Sequence, residues 1–276
     1  MRLLTAAFDP GAPPGASSPR RPLIQLVGAA VVVLALGVVA EAVGLLPALG
    51  RAIQIAALHG AFIAAGEILA NPARARGWRV GLPVAGALAG AAWLSSAAAG
   101  GWCAYAVPPL VLAWQARRPG GRGTRGWAAA PARLREIALG LLVGVLLGAH
   151  LLVTAARTFG YAVGAISAGA YLADLAYDAG ANALSATWFF HGGLFSWLWR
   201  RIDFWPAAAA ATAAGLARYL LDPALPRATE AAVGAVFYLA VLGMACCAIR
   251  ARTGSAGAVY AATLGFFAAY RGLSGW

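Results

Sequence analysis

Apolar runs alternate with short, arginine-bearing polar stretches along most of the chain. The first run, about 22–49, contains the uncharged stretch LVGAAVVVLALGVVA. About 20 apolar residues in an α-helix cross the hydrocarbon core of a bilayer, so this run predicts a transmembrane helix. Runs at about 52–70, 80–99, 102–116, 137–156, 180–199, 206–221, 231–249 and 254–270 predict further spans. The segment 158–178 is short and glycine-rich, and it closes with Asp174 and Asp178. That pattern suits an interfacial or re-entrant helix rather than a crossing. The expected fold is therefore all-α, a polytopic bundle of about eight or nine spans. Residues 1–21 are rich in Pro, Gly and Ser and predict a flexible tail. The first run is too long for the apolar core of a cleavable signal peptide.

The placement of arginine orients these spans. Arg20 and Arg21 precede the first run, and NPARARGWR follows the second. The stretch RRPGGRGTRGWAAAPARLRE carries six arginines between Arg117 and Arg135; Arg200-Arg201 and Arg250/Arg252 follow later spans. Cytoplasmic loops carry the excess of basic residues. With 158–178 not crossing, one orientation puts all these clusters and the N-terminus inside. Composition agrees: 62% of the residues are hydrophobic and only 11% charged, where soluble domains carry about 25%. The net charge of +12 belongs to the membrane interface, and the lipid bilayer is the expected partner. Nucleic acid is not expected, because no compact soluble domain exists to bind it. Cys103, Cys246 and Cys247 all lie in apolar segments and lack zinc-ligand spacing or a disulfide framework. They are expected as small buried hydrophobes, and no metal or cofactor is expected.

Polar groups inside a span cost free energy, so each is a candidate site. Glu67 is expected to reach outward to the interface or to pair with Arg74 or Arg76. His59 lies eight residues earlier, two turns along the same face, and the two together could form a proton relay. Glu41 is expected to pair with Arg51, and His150 to be a hydrogen-bonding core residue. Arg218 is expected as an interfacial anchor with Asp222, four residues on along the same helical face. There is no HExxH, GxSxG or phosphate-binding loop. Asp174 and Asp178, at i and i+4, are the closest carboxylate pair in the second half.

Two stretches share the cadence of a known family: ATWFFHGGLFSWLWRRIDFWP from Ala186, and VGAVFYLAVLGMACCAIRARTGSAGAVYAATLGFF from Val233. They resemble the CAAX-protease and bacteriocin-processing (CPBP) family of glutamic-type intramembrane proteases. The aromatic pair Phe189-Phe190, the glycine after His191, the basic turn Arg200-Arg201 and the turn Arg252-Thr253-Gly254-Ser255 stand where that family has them. The resemblance covers residues 186–270, about a third of the chain. The family's motifs are Glu-Glu-x-x-x-Arg-Gly, Phe-x-x-x-His and His-x-x-x-Asn. Its two glutamates fall on Ala186 and Thr187, and its arginine on His191. The Phe and His of the second motif fall near Gly215 and Tyr219, and the His and Asn of the third on Thr263 and Phe267. A general base must take a proton near neutral pH, and the residues at these positions do not, His191 lacking a partner carboxylate.

The resemblance implies a division into a tail at 1–21, accessory spans at 22–116, a basic cytoplasmic loop at 117–136 and a CPBP-like core at 137–276. It implies a catalytically degenerate protein of the bacterial inner membrane. Such a protein would be an accessory or substrate-binding partner in membrane protein processing, meeting a membrane-anchored substrate or an active protease paralogue. One alternative is an active protease with displaced chemistry, in which Thr187, His191, Tyr219 and Thr263 converge and Glu67 or Asp178 supplies the carboxylate. Another is an unrelated transporter.

Overall fold

The computed structural model describes residues 19–44, 47–70, 77–117, 134–159, 166–220 and 229–271. Nearly all of the expected tail, Arg74, Arg76, most of the basic loop and Asp222 lie outside these residues, so the pairings expected of them lie outside too. Among the described residues every regular element is helical. The helices are α1 (Arg20–Ala42), α2 (Pro47–Ala70), α3 (Gly77–Ala97), α4 (Val107–Arg117), α5 (Leu134–Phe159), α6 (Ala168–Tyr177), α7 (Ala183–Ala186), α8 (Phe195–Trp199), α9 (Phe204–Leu220), α10 (Thr229–Thr253) and α11 (Ala256–Tyr270). A 3-10 turn, Gly101–Ala106, precedes α4.

Five of these, α1, α2, α3, α5 and α10, are long and apolar enough to cross a membrane. On that ground the chain is a membrane protein, helical throughout the regular elements of its described residues. Helices α4, α9 and α11 have 11, 17 and 15 residues, fewer than the roughly 20 a perpendicular span needs. The expected boundary near residue 180 is not a break. Residues 168–199 are helical throughout, with π-helical turns at Asp178–Asn182 and Thr187–Leu194. A π turn takes one more residue than an α turn, and such turns are often found at functional sites.

The described residues form two compact units. In the unit built from Ala129–Leu175 and Phe195–Trp276, α5 packs along α11. Gly140, Gly144 and Gly148 recur every fourth residue on α5. A β-carbon at any of them would run into the backbone carbonyls of Ala258, Ala262 or Phe266 on α11. Lipid supplies no hydrophobic drive between helices, so such close small-residue contacts carry the association. Elsewhere in this unit Phe195, Ala207, Ala208, Ala211, Cys247 and Ala251 form a buried apolar cluster. Helices α10 and α11 meet at the Arg252–Ser255 turn. Gly254 has φ +64°, a left-handed conformation that suits glycine. Ser255 caps α11 by accepting from the Ala258 N–H at 3.2 Å, the usual role of serine at that place.

The other unit contains α1 to α4 and Ala176–Leu194. Its central helix is α2, 61% of whose apolar window is buried, against 11% for α1. Helix α1 therefore leaves most of its surface exposed. Glu41 of α1 meets α2 as expected, accepting from Arg51 at 3.3 Å and also from Gln54 Nε2 at 2.6 Å.

Candidate functional site

Two polar residues of α2 lie on its enclosed face. His59 and Glu67 are both buried. Glu67 does not reach outward to the interface; its Oε1 accepts from the indole N–H of Trp188 at 3.1 Å. That contact exists because two glycines let the backbones touch. A β-carbon on Gly193 would lie 2.6 Å from Gly66 Cα, and one on Gly66 would lie 2.6 Å from the Trp188 carbonyl oxygen. The second glycine of the HGG sequence is thus a packing residue against α2.

His59 faces Ser185 and Tyr177. Its Nδ1 lies 2.7 Å from Ser185 Oγ and its Nε2 3.1 Å from Tyr177 OH. Ser185 Oγ is also 3.2 Å from the Asn182 carbonyl. The Asn182 amide donates to Asp178 Oδ1 at 3.0 Å. Tyr177 stacks edge-on against Tyr105 of the 3-10 turn at 5.5 Å, and Gly180 permits the close approach of the Tyr105 backbone. Asp178, Asn182, Ser185, Thr187 and His191 are all buried. Two buried polar atoms of this seam, Asn182 Oδ1 and Thr187 Oγ1, have no hydrogen-bond partner among the described residues. An unsatisfied buried polar atom costs about 1–3 kcal/mol, so the π-helical stretch holds them at a cost.

The six motif positions divide between the units. Ala186 and Thr187 are buried at the α7–π junction, and His191 is buried in the second π segment. Tyr219, Thr263 and Phe267 belong to the other unit. There the rings of Tyr219 and Phe267 meet, their centroids 6.1 Å apart, and the Arg218 guanidinium lies 5.2 Å from the Tyr219 ring centre. Thr263 donates to the Val259 carbonyl at 3.0 Å and sits 3.7 Å from Cys246 Sγ. Its hydroxyl is thus turned to its own helix and to α10.

Several expectations change. His59 and Glu67 do share the buried face of α2, but they turn to different partners, Ser185 with Tyr177 and Trp188. Asp174 and Asp178 do not work as a pair: Asp174 is exposed and bridges Arg271 at 3.3 Å, whereas Asp178 is buried with Asn182. His150 is exposed rather than part of the core, and bonds Tyr238. Cys103 is exposed, while Cys246 and Cys247 are buried. No group of three or more His, Cys, Asp or Glu that could hold a metal occurs among the described residues.

Tyr177, Asn182, Ser185 and Trp188 are the seam residues that sequence reasoning missed. The one signal for them is spacing: Asp178, Asn182 and Ser185 fall at i, i+4 and i+7, one helical face in an otherwise apolar segment. No family model, no curated protein and no solved structure matches this chain.

Proposed function

We propose that this is a catalytically degenerate, CPBP-like protein of the bacterial inner membrane that acts by binding rather than by cleaving. It holds a membrane-anchored protein, as an accessory or substrate-binding partner of an active protease. That bundle would have about eight or nine spans, the five long apolar helices together with shorter ones, of which α11 is apolar. The observation that carries this function is the content of the motif positions. Where the family has its glutamate pair, this chain buries Ala186 and Thr187, and the Thr187 hydroxyl has no partner among the described residues. Thr263 is spent on a backbone carbonyl, and Phe267 on ring contacts. Water activation needs a base poised near the working pH, which alkyl, hydroxyl and phenyl groups do not supply. The capped Arg252–Ser255 turn supports the same frame.

A binding role predicts saturable capture without turnover. The purified chain in proteoliposomes is titrated with a fluorescent tail-anchored peptide and, separately, with a polyleucine helix of equal length. Saturable anisotropy with the tail-anchored peptide alone, the peptide staying intact, is the expected result. Equal partitioning of both peptides would contradict it.

A further inference from the structure

The buried seam holds a second constellation that the motif positions do not use. We propose that Ser185 and His59 form a nucleophile–base pair for acyl transfer from an ester-linked acyl chain, with Tyr177 orienting the imidazole. The pair is independent of the degenerate-motif function and can fail or hold separately from it.

The geometry is that of an activated hydroxyl. A nucleophile must lie within hydrogen-bond reach of its base, and the base must be oriented by a third group. Ser185 Oγ is 2.7 Å from His59 Nδ1, and Tyr177 OH is 3.1 Å from Nε2. These residues come from segments 118 and 126 positions apart, so local helix geometry does not force the contact. Ser185 has one proton and two acceptors in reach, His59 Nδ1 at 2.7 Å and the Asn182 carbonyl at 3.2 Å. In the reactive tautomer Nε2–H donates to Tyr177 and Nδ1 accepts from Ser185. As Ser185 Oγ bonds to the ester carbonyl carbon, its proton passes to Nδ1. The carbon–alkoxy bond then breaks, and the leaving alcohol takes that proton. Water reverses these roles to release the carboxylic acid and restore the serine.

The surroundings select the substrate. Ala183 and Leu184 beside Ser185 are fully buried, and Phe62 packs against Phe189 and Phe190 at 5.1 and 5.5 Å. An acyl chain suits such apolar neighbours; a charged or hydrated group does not. Ser185 itself is enclosed, and the four-residue α7 that carries it is bracketed by π turns. The proposal requires α7 to open at those turns for an acyl chain to reach the hydroxyl.

An alkyl fluorophosphonate tests this directly. Its P–F bond breaks as Ser185 Oγ bonds phosphorus, fluoride leaves, and the proton goes to His59. The full-length protein in lipid nanodiscs is incubated with the probe, and the adduct is mapped by mass spectrometry. The expected result is a single adduct on Ser185, absent in Ser185→Ala. Labelling of His59→Gln, which keeps a polar side chain but no base, should be slower by about 10²-fold or more. Tyr177→Phe should label more slowly and shift the pH profile of labelling, which a packing role would not do. Size-exclusion elution identical to wild type establishes that each variant is folded. No adduct on folded wild type, or equal rates for wild type and His59→Gln, would overturn the proposal.

Discussion

Replacing Gly144 by Leu should abolish accumulation of folded protein in the membrane. A β-carbon at this position already collides with the Ala262 carbonyl of α11, and the remaining leucine atoms have nowhere to go without prising α5 from α11. Overpacking typically costs about 1–3 kcal/mol per insertion. Here it also separates a backbone contact that three successive glycine turns maintain. Against total stabilities of about 5–15 kcal/mol, Gly144→Leu should leave little folded protein, and Gly144→Ala should lose about 1–3 kcal/mol. Gly86→Leu is the matched control, because a β-carbon on Gly86 meets nothing within 4 Å. Fluorescence-detected size exclusion and thermal melts of the three variants check this. A Gly144→Leu protein that elutes and melts like Gly86→Leu would show that the α5–α11 contact is not a determinant of the fold.

The second large effect is at His59. Truncation to Ala leaves a cavity in the most enclosed of the five long helices and removes the imidazole that Ser185 and Tyr177 share. Large-to-small changes at buried sites cost about 2–5 kcal/mol, and hydrogen bonds within membrane bundles add about 0.6 kcal/mol each on average. His59→Ala should therefore be destabilised by about 3 kcal/mol. His150→Ala should lose about 1 kcal/mol or less, since that side chain is exposed. Parallel denaturation of the two variants in one detergent gives the comparison. Equal losses would mean that the polar seam contributes no more than a surface histidine.

The contrast between the two histidines marks how far sequence reaches. Both sit in apolar runs, and nothing local distinguishes them. What differs is the helix around each, and that depends on contacts such as His59 to Ser185, 126 residues apart. Helices α1, α2, α3, α5 and α10 were legible because a bilayer-length apolar run has few alternatives in lipid. The glycine spacing on α5 was visible too, as Gly140, Gly144 and Gly148, but its partner helix was not. The π turns at 178–182 and 187–194 were illegible, since α- and π-helical turns draw on the same residue types and differ by one residue in hydrogen-bond register. That difference sets which polar groups face α2.

Of the motif positions, sequence supplied identity and structure supplied use. His191 looks like a candidate base in an apolar segment. Its segment instead provides Gly193 to pack on Gly66, and Trp188 to bond Glu67. The proposed nucleophile–base pair lies on α2 and at Ser185, outside residues 186–270.

The most direct test of the degenerate-motif function is an in-membrane cleavage assay on a tail-anchored substrate. Wild type and His191→Ala are reconstituted side by side, with an active CPBP protease as positive control. The expected result is no product from either form of this chain while the control cleaves. Product from wild type that disappears in His191→Ala would contradict it.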